Sequence, residues 1–201
     1  MIVSCDIDGV LNNLTECVLQ LYNQESGDNL TESDITEYSI EKFIKPEYRN
    51  KISQYFLDKR IWEMLKWDVG WIAKILDNNM YDLHFTTASS LKTIDYKINL
   101  LIAAIAECSR KSTDEINTYV LNHLIVTQNK QIIRPDVVID DCIDNLQLWN
   151  YNVHNILFVK PWNQKLAYMY NQNYDNKILL CNNGTEAMIF LQKIRQQLIN
   201  K

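Results

Sequence analysis

The chain has 201 residues, of which 47% are hydrophobic and 22% are charged, and its formal net charge is −5. This composition is typical of one folded domain with room for a small insert, and it excludes disordered, collagen-like and low-complexity proteins. The four glycines are too widely spaced to form either a G-x-G-x-x-G dinucleotide loop or a G-x-x-x-x-G-K-[ST] phosphate loop.

The net charge and the placing of the cysteines and histidines exclude some classes of binding partner and of metal site. An acidic chain without a run of lysine and arginine lacks the groups that bind a nucleic-acid backbone, so we expect no polynucleotide partner. The five cysteines form no C-x-x-C pair, and the three histidines match neither the zincin nor the zinc-deaminase pattern. We therefore expect any bound metal to be held by oxygen ligands.

The amino terminus and the hydropathy pattern indicate where in the cell the protein is expected. Residues Met1–Asp6 resemble neither a secretory signal nor a transit peptide. The longest apolar run, Leu100–Ala106, is far shorter than the ~20 residues that span a bilayer. We expect a cytoplasmic protein without a membrane partner.

Short runs rich in isoleucine and valine alternate with segments of helical periodicity along most of the chain. This alternation is typical of a parallel sheet whose strands are joined by crossover helices, so it predicts an α/β sandwich. The predicted strands are Ile2–Ile7, Tyr81–Thr86, His123–Val126, Val137–Ile139, Ile156–Val159 and Ile178–Leu180.

Three helices are clearest in the pattern. Leu91–Glu107 repeats apolar residues at helical spacing, and a second apolar stripe follows Thr185 to the carboxyl end. Ser112 and Glu115 have the spacing of a capping box, which predicts a shorter helix between these two.

One long interval breaks the alternation. Residues 15–79 contain several short helical segments and three tryptophans but no convincing strand. An insert after the first strand would lie over the carboxyl ends of the strands, where open α/β sheets bind ligands. We therefore predict a small helical cap at 15–79 on a core formed by 1–14 and 80–201.

The first strand ends in two carboxylates that flank one residue. Asp6 and Asp8 are followed by Gly9, and side chains two apart in an extended chain can point to the same side. The pattern is short, and an ordinary polar strand-to-helix turn is an equally good interpretation of it.

A second apolar strand ends in the adjacent carboxylates Asp140 and Asp141. If this strand lies beside the first, four carboxylates meet at one sheet edge, and like charges there need a compensating cation. Carboxylate, carbonyl and phosphate oxygens are the ligands that Mg²⁺ prefers. Hydroxyls at Thr86 and Thr87 and the charge of Lys130 are further candidates for this edge, although threonine is common in strands and lysine in solvated loops.

These motifs, in this order, resemble the four motifs of the haloacid dehalogenase superfamily of phosphatases. Asp6-x-Asp8-Gly9, Thr87-Ala88-Ser89 and the I-D-D-x-x-D-N segment from Ile139 to Asn145, with the later F-x-x-P-W-N segment, more closely resemble the 5′(3′)-deoxyribonucleotidase family. The resemblance covers nearly the whole chain. It implies a three-layer, Rossmann-like sandwich with a parallel sheet and a cap inserted after strand 1.

The resemblance also implies a role for each matching position. Asp6 would be the nucleophile that forms an aspartyl-phosphate, and Asp8 the general acid and base. Mg²⁺ would be held by Asp6, the Asp8 carbonyl and Asp141, while Asp140 would lie behind them or orient Lys130. The groups that would bind the phosphoryl oxygens are the Thr87 hydroxyl, the backbone N–H near Ala88 and the Lys130 ammonium.

Substrate recognition is less clearly encoded. Relatives place aromatic residues from the first loop and the cap against the base, but Leu14 stands at the first of these positions. Trp62 matches a cap aromatic and is the candidate for base stacking, with an ordinary place in the cap core as the alternative.

The leading prediction is a Mg²⁺-dependent phosphomonoesterase for deoxynucleoside monophosphates, and a homodimer is compatible with it. A superfamily phosphatase for a sugar phosphate or another small metabolite is the alternative enzyme, because the core chemistry tolerates many leaving groups. A non-catalytic nucleotide-binding protein is the third hypothesis, and the presence of both Asp6 and Asp8 argues against it.

Overall fold

The computed structural model describes residues 1–90, 92–148, 150–173 and 178–200. Its centre is a six-stranded, all-parallel sheet with the strand order β3-β2-β1-β4-β5-β6. The strands are β1 (Ile2–Asp6), β2 (Asp82–Thr87), β3 (Leu124–Val126), β4 (Val137–Asp140), β5 (His154–Phe158) and β6 (Leu179–Cys181). The predicted α/β sandwich is confirmed, and each predicted strand lies within two residues of an observed one.

The sheet is buried on both faces, which explains its runs of branched apolar residues. Val137 and Ile139 point into a large core cluster on one face, while Val138 between them points into a smaller cluster on the other. This alternation follows from the two-residue period of a strand. The result is three layers, with the sheet in the middle.

Eight α-helices are described. They are α1 (Leu14–Ser26), α2 (Ile52–Tyr55), α3 (Lys59–Met64), α4 (Gly70–Asp77), α5 (Ile94–Cys108), α6 (Thr113–Asn122), α7 (Gln164–Asn173) and α8 (Gly184–Ile199). The predicted start of α5 at Leu91 lies outside the described residues, and the helix begins at Ile94. The predicted capping box of α6 is present, since Ser112 and Glu115 bond each other's backbone N–H.

The segment between β1 and β2 divides into two parts by its packing. Helices α1 to α3 and the 3₁₀ turns among them share a hydrophobic cluster of their own, to which Trp162 from the loop after β5 is added. Helix α4 instead packs into the large cluster against the sheet, through Trp71, Ile72 and Ile75. We therefore propose that the cap ends before α4, short of the predicted boundary at 79.

The apolar stripe of α4 is as compatible with a cap as with a sheet, so the sequence did not distinguish the two partners. Within the described ranges, no helix is both long enough and apolar enough to cross a membrane.

Candidate active site

The two central strands bring the predicted carboxylates together. Cys5 of β1 is paired in register with Ile139 of β4, so the next residues along each strand, Asp6 and Asp140, are neighbours across the sheet. Side-chain oxygens of Asp6, Asp140 and Asp141 all lie within 4.8 Å of one another, and all three residues are buried. The carboxyl ends of β1 and β4 therefore form one acidic cluster.

Lys130 neutralises part of this cluster. It comes from a 3₁₀ turn, Lys130–Ile132, before β4, and its Nζ lies 2.7 Å from Oδ1 of Asp6 and 2.9 Å from Oδ2 of Asp140. Burial lowers the pKa of Lys130, but Asp6 and Asp140 outweigh that effect and leave the pKa above its ordinary value. Lys130 is thus a permanent positive charge beside Asp6.

Both carboxylate oxygens of Asp140 already have hydrogen-bond partners within the protein. Besides the ion pair with Lys130, its Oδ1 accepts hydrogen bonds from the Cys142 backbone N–H at 2.9 Å and from Asn145 Nδ2 at 3.0 Å. With both oxygens engaged, Asp140 is suited to orienting Lys130 rather than to meeting a ligand.

The electrostatics of the cluster favour a further cation. Burial, and next the charge of Asp140, raise the pKa of Asp6 to about 8, although Lys130 opposes them. Burial and the same neighbouring carboxylates raise the pKa of Asp141 well above its ordinary range. Within the cluster as described, three buried carboxylates face one lysine, and a divalent cation bound by oxygen would balance the charge that is left. The donor set therefore fits a metal ion.

Gly9 allows the chain to pass close to Asp141. Its φ is +76°, in the left-handed region that favours glycine, and a Cβ placed there would lie 2.4 Å from Oδ2 of Asp141. A side chain at this position would displace the Asp141 carboxylate. The turn after Asp8 and the position of Asp141 therefore depend on the same glycine.

Asp8 is bound on the other side of the site, away from Lys130. Its Oδ1 accepts a hydrogen bond from Asn12 Nδ2 at 3.1 Å, and its Oδ2 is paired with the ammonium of Lys97. Its side chain is 27% exposed, so it can meet a bound molecule and solvent while Asp6 remains buried.

The end of β2 completes this side of the site. The Thr87 hydroxyl lies 2.9 Å from the Ser89 hydroxyl and 3.5 Å from Oδ2 of Asp8, and it accepts from Lys97 Nζ at 3.2 Å. Ala88 is exposed and lines the adjoining cavity. Thr86 is buried and bonds the Ile7 N–H through its backbone carbonyl, so the hydroxyl placed among these groups is that of Thr87.

A cavity of about 310 Å³ opens directly above these groups. Trp62 is buried at its wall, and the Nζ of Lys97 lies 5.9 Å from the centre of the Trp62 ring. Leu14 also lines the cavity. The other apolar lining residues include Ile35, Tyr38, Ile40, Phe56, Leu57 and Trp162. The structure therefore brings the predicted base-stacking candidate to the same cavity as Asp6 and Asp8.

Lys97 is the residue that the sequence analysis missed. It lies on α5 three residues after Ile94 and four before Leu101, so it interrupts the apolar face of that helix and is almost fully buried. Its ammonium is within hydrogen-bonding reach of Asp8, Thr87 and Ser89. A lysine within an apolar stripe was the signal available in the sequence, because a buried lysine requires partners.

Asn163 shows how the later F-x-x-P-W-N segment contributes. Its Nδ2 donates to the backbone carbonyls of Asp141 and Phe158, each at 2.7 Å, and its Oδ1 accepts from the Lys160 N–H. The segment after β5 therefore holds the backbone of Asp141 in place.

A solved structure shares this fold. The chain overlaps a haloacid dehalogenase-like family hydrolase from Streptococcus pneumoniae with a TM-score of 0.56 at 14% identity, over 94% of this chain and 97% of the other. That likeness concerns the fold. A matching family model and a curated relative carry the class beyond the fold: the protein is a phosphoric monoester hydrolase of the haloacid dehalogenase superfamily.

A family model and a curated relative identify the family to which the chain belongs within this superfamily. The chain belongs to the family described as 5′ nucleotidase, deoxy (Pyrimidine), cytosolic type C, whose model matches residues 1–181. A curated 5′(3′)-deoxyribonucleotidase from Clostridium acetobutylicum is 25% identical over 154 residues, which cover 76% of this chain and 78% of that protein. The protein is thus a phosphatase of the nucleotidase type.

Proposed function

We propose that the protein hydrolyses deoxynucleoside monophosphates to a nucleoside and phosphate, with Mg²⁺ and through an aspartyl-phosphate on Asp6. The observation that carries this proposal is the cavity. It joins a charged floor suited to a phosphate group to an apolar, aromatic wall suited to a base. The name of the family and that of the Clostridium acetobutylicum relative support a deoxynucleotide as the substrate.

The first step forms a bond between an Asp6 oxygen and phosphorus and breaks the bond from phosphorus to the ribose oxygen. Lys130, 2.7 Å from Asp6, favours the ionised form of the carboxylate and offsets the charge that gathers on the phosphoryl oxygens. Asp8, in its protonated form, gives its proton to the departing ribose oxygen.

The second step regenerates the enzyme. Asp8, now ionised, takes a proton from a water molecule, whose oxygen bonds to phosphorus while the bond to Asp6 breaks. Lys97 and Asn12 hold the two Asp8 oxygens during both steps. The Thr87 hydroxyl and the N–H groups near Ala88 orient the phosphoryl oxygens.

The metal would be held by the carboxylates of Asp6 and Asp141 and the backbone carbonyl of Asp8. It would supply positive charge next to the phosphate, which reduces the repulsion between the anionic substrate and the carboxylates. Mg²⁺ is the ion we propose, because the ligands are all oxygen and the proposed substrate carries a phosphate.

The wall of the cavity would select the substrate. A planar base could pack against Trp62, which lines the same cavity as Asp6, since stacking on an aromatic ring stabilises a base by about 1–3 kcal/mol. With Leu14 in place of an aromatic residue, the first loop would offer the base an aliphatic contact, and the rings of the wall would be those of Tyr38, Phe56, Trp62 and Trp162.

The experiment that tests this proposal is a phosphate-release assay with Mg²⁺ over deoxynucleoside monophosphates, ribonucleoside monophosphates and sugar phosphates. We expect the highest kcat/KM for a deoxynucleotide and no turnover after chelation of the metal. Faster turnover of a sugar phosphate than of every nucleotide would show that the proposed substrate is wrong. The proposed catalytic residues would be unaffected by that result.

A further inference from the structure

A second cluster of metal-binding side chains lies at the other end of β2. The Nε2 atoms of His84 and His123 lie 3.2 Å and 3.3 Å from the same oxygen, Oδ1 of Asp82. All three side chains offer a ligand atom within 4.8 Å of one another. Asp82 begins β2 and Thr87 ends it, so about 16 Å of strand separates this cluster from the active site.

The hydrogen bond of His123 determines which of its nitrogens is free. Nδ1 lies 2.8 Å from the backbone carbonyl of Tyr119, and because a carbonyl only accepts, Nδ1 must carry the hydrogen. In the neutral ring, the lone pair of Nε2 then faces the Asp82 carboxylate. Two acceptors 3.3 Å apart repel each other unless a cation, either a proton or a metal ion, lies between them.

The ring of His123 is also held in position. It stacks on the ring of Tyr119 with centroids 4.0 Å apart and planes inclined by 6°. The Tyr119 hydroxyl accepts from the Leu83 N–H at 2.9 Å and donates to the Leu83 carbonyl at 3.2 Å. Leu83 lies between Asp82 and His84 on β2, so one tyrosine positions His123 against the strand that carries the other two groups. A histidine whose second nitrogen bonds a carbonyl is the usual arrangement at protein metal sites.

The distances fit a tetrahedral ion. Zinc lies about 2.0–2.1 Å from nitrogen and oxygen ligands, so two ligands of a tetrahedral site are about 3.3–3.4 Å apart. The two distances to Asp82 Oδ1 have this length. Both histidine side chains are 25% exposed, which leaves room for water at the remaining position. Imidazole ligands favour zinc and its neighbours over Mg²⁺.

We propose that Asp82, His84 and His123 form a binding site for a divalent transition-metal ion of the zinc type. The site joins the start of β2 to the connection between α6 and β3. An ion bound there stabilises the folded chain by an amount that rises with the logarithm of the ion concentration above its Kd, independently of the ion at the catalytic carboxylates.

The test is a calorimetric titration of Zn²⁺ into chelator-treated protein at pH 8, with excess Mg²⁺ present to occupy the catalytic carboxylates. This pH is above the ordinary histidine pKa of about 6.5, so protons compete little. We expect one tight site in the wild type and a loss of at least about tenfold in affinity in His84→Ala and His123→Ala. His154→Ala, which removes the third histidine, should bind as the wild type does. Unchanged circular dichroism and phosphatase activity would show that the variants are folded.

Three results would overturn the proposal. One is the absence of tight Zn²⁺ binding in the wild type, and another is Zn²⁺ binding as tight as that of the wild type in both His84→Ala and His123→Ala. The third is a loss of Zn²⁺ binding in Asp141→Asn but not in His123→Ala, which would assign the ion to the catalytic carboxylates. The spectrum of the Co²⁺-loaded wild type needs no variant: intense visible bands indicate a tetrahedral site with nitrogen ligands, whereas only the weak bands of an octahedral oxygen site contradict it.

Discussion

The floor and the wall of the active-site cavity are built from different kinds of residue. The floor consists of Asp6, Asp8, Lys97, Lys130 and Asp141, in which ion pairs join Asp8 to Lys97 and Asp6 to Lys130. The wall consists of Leu14, Ile35, Tyr38, Phe56, Trp62 and Trp162, whose side chains meet mainly through apolar contact. The carboxylates of the floor lie at strand ends and its two lysines come from α5 and from the turn before β4, while the wall comes largely from the segment of α1 to α3.

The difference between the two regions suggests that the floor carries out the reaction and the wall recognises the substrate. Charges at strand ends are placed to fractions of an ångström by the register of the sheet, as phosphoryl transfer requires. An apolar wall can change shape by substitution without disturbing that register, so one floor can serve many leaving groups. Changes to the floor should therefore alter kcat for every substrate, and changes to the wall should alter KM for some.

The largest expected effect is the loss of the proposed nucleophile, Asp6. Replacing Asp6 by Asn should lower kcat by about 10⁴-fold or more for all substrates, because the amide cannot attack phosphorus. Steady-state phosphate release measures this, and Asp95→Asn, an exposed carboxylate on α5, is the matched control. Substantial residual turnover in Asp6→Asn would mean that the covalent route through Asp6 is wrong.

Lys97 tests whether a floor residue found only in the structure matters as much as a predicted one. Lys97→Met should lower kcat/KM by about 10²–10³-fold, since it removes the charge that holds Asp8 and adjoins Thr87. Lys92→Met removes an exposed lysine just before α5 and should have little effect. If both variants are equally active, Lys97 serves only to fill the core.

Gly9 tests how closely the floor is packed. Gly9→Ala should lower the free energy of unfolding by about 3 kcal/mol, because it combines a left-handed backbone with a collision against Asp141. Gly27→Ala has a similar φ of +67° with open space around it, and should cost only about 1 kcal/mol. Denaturant unfolding of the two variants gives the difference, and equal losses would contradict the close approach to Asp141.

Trp62 tests the wall and has the smallest expected effect. Trp62→Ala should raise KM for nucleotides by about tenfold, from the loss of base stacking, and raise it less for an aryl phosphate. Ile61→Val, in the same helix and buried in the cap cluster, is the control for loosening the cap. Equal effects on both substrates would place Trp62 in the cap core alone.

The two regions also differ in how far the sequence predicts them. The end of a buried strand can be located in a sequence because the strand is a run of branched apolar residues. The carboxylates directly after Ile139 must then lie at the carboxyl end of their strand. The contact of Asp8 with Lys97 was not predictable in this way, since it depends on the rotation and position of α5. The meeting of His84 with His123 depends likewise on the connection between α6 and β3, and isolated histidines carry no spacing signal.

The most direct test of the central claim is an acid quench of the wild-type enzyme during turnover, with mass spectrometry of the peptide that contains Asp6. Acid preserves an acyl phosphate, so one phosphoryl group is expected on Asp6, and none in the Asp6→Asn variant. Recovery of the phosphoryl group on another residue, or a burst of product equal to the enzyme concentration with Asp6 unmodified, would contradict the account.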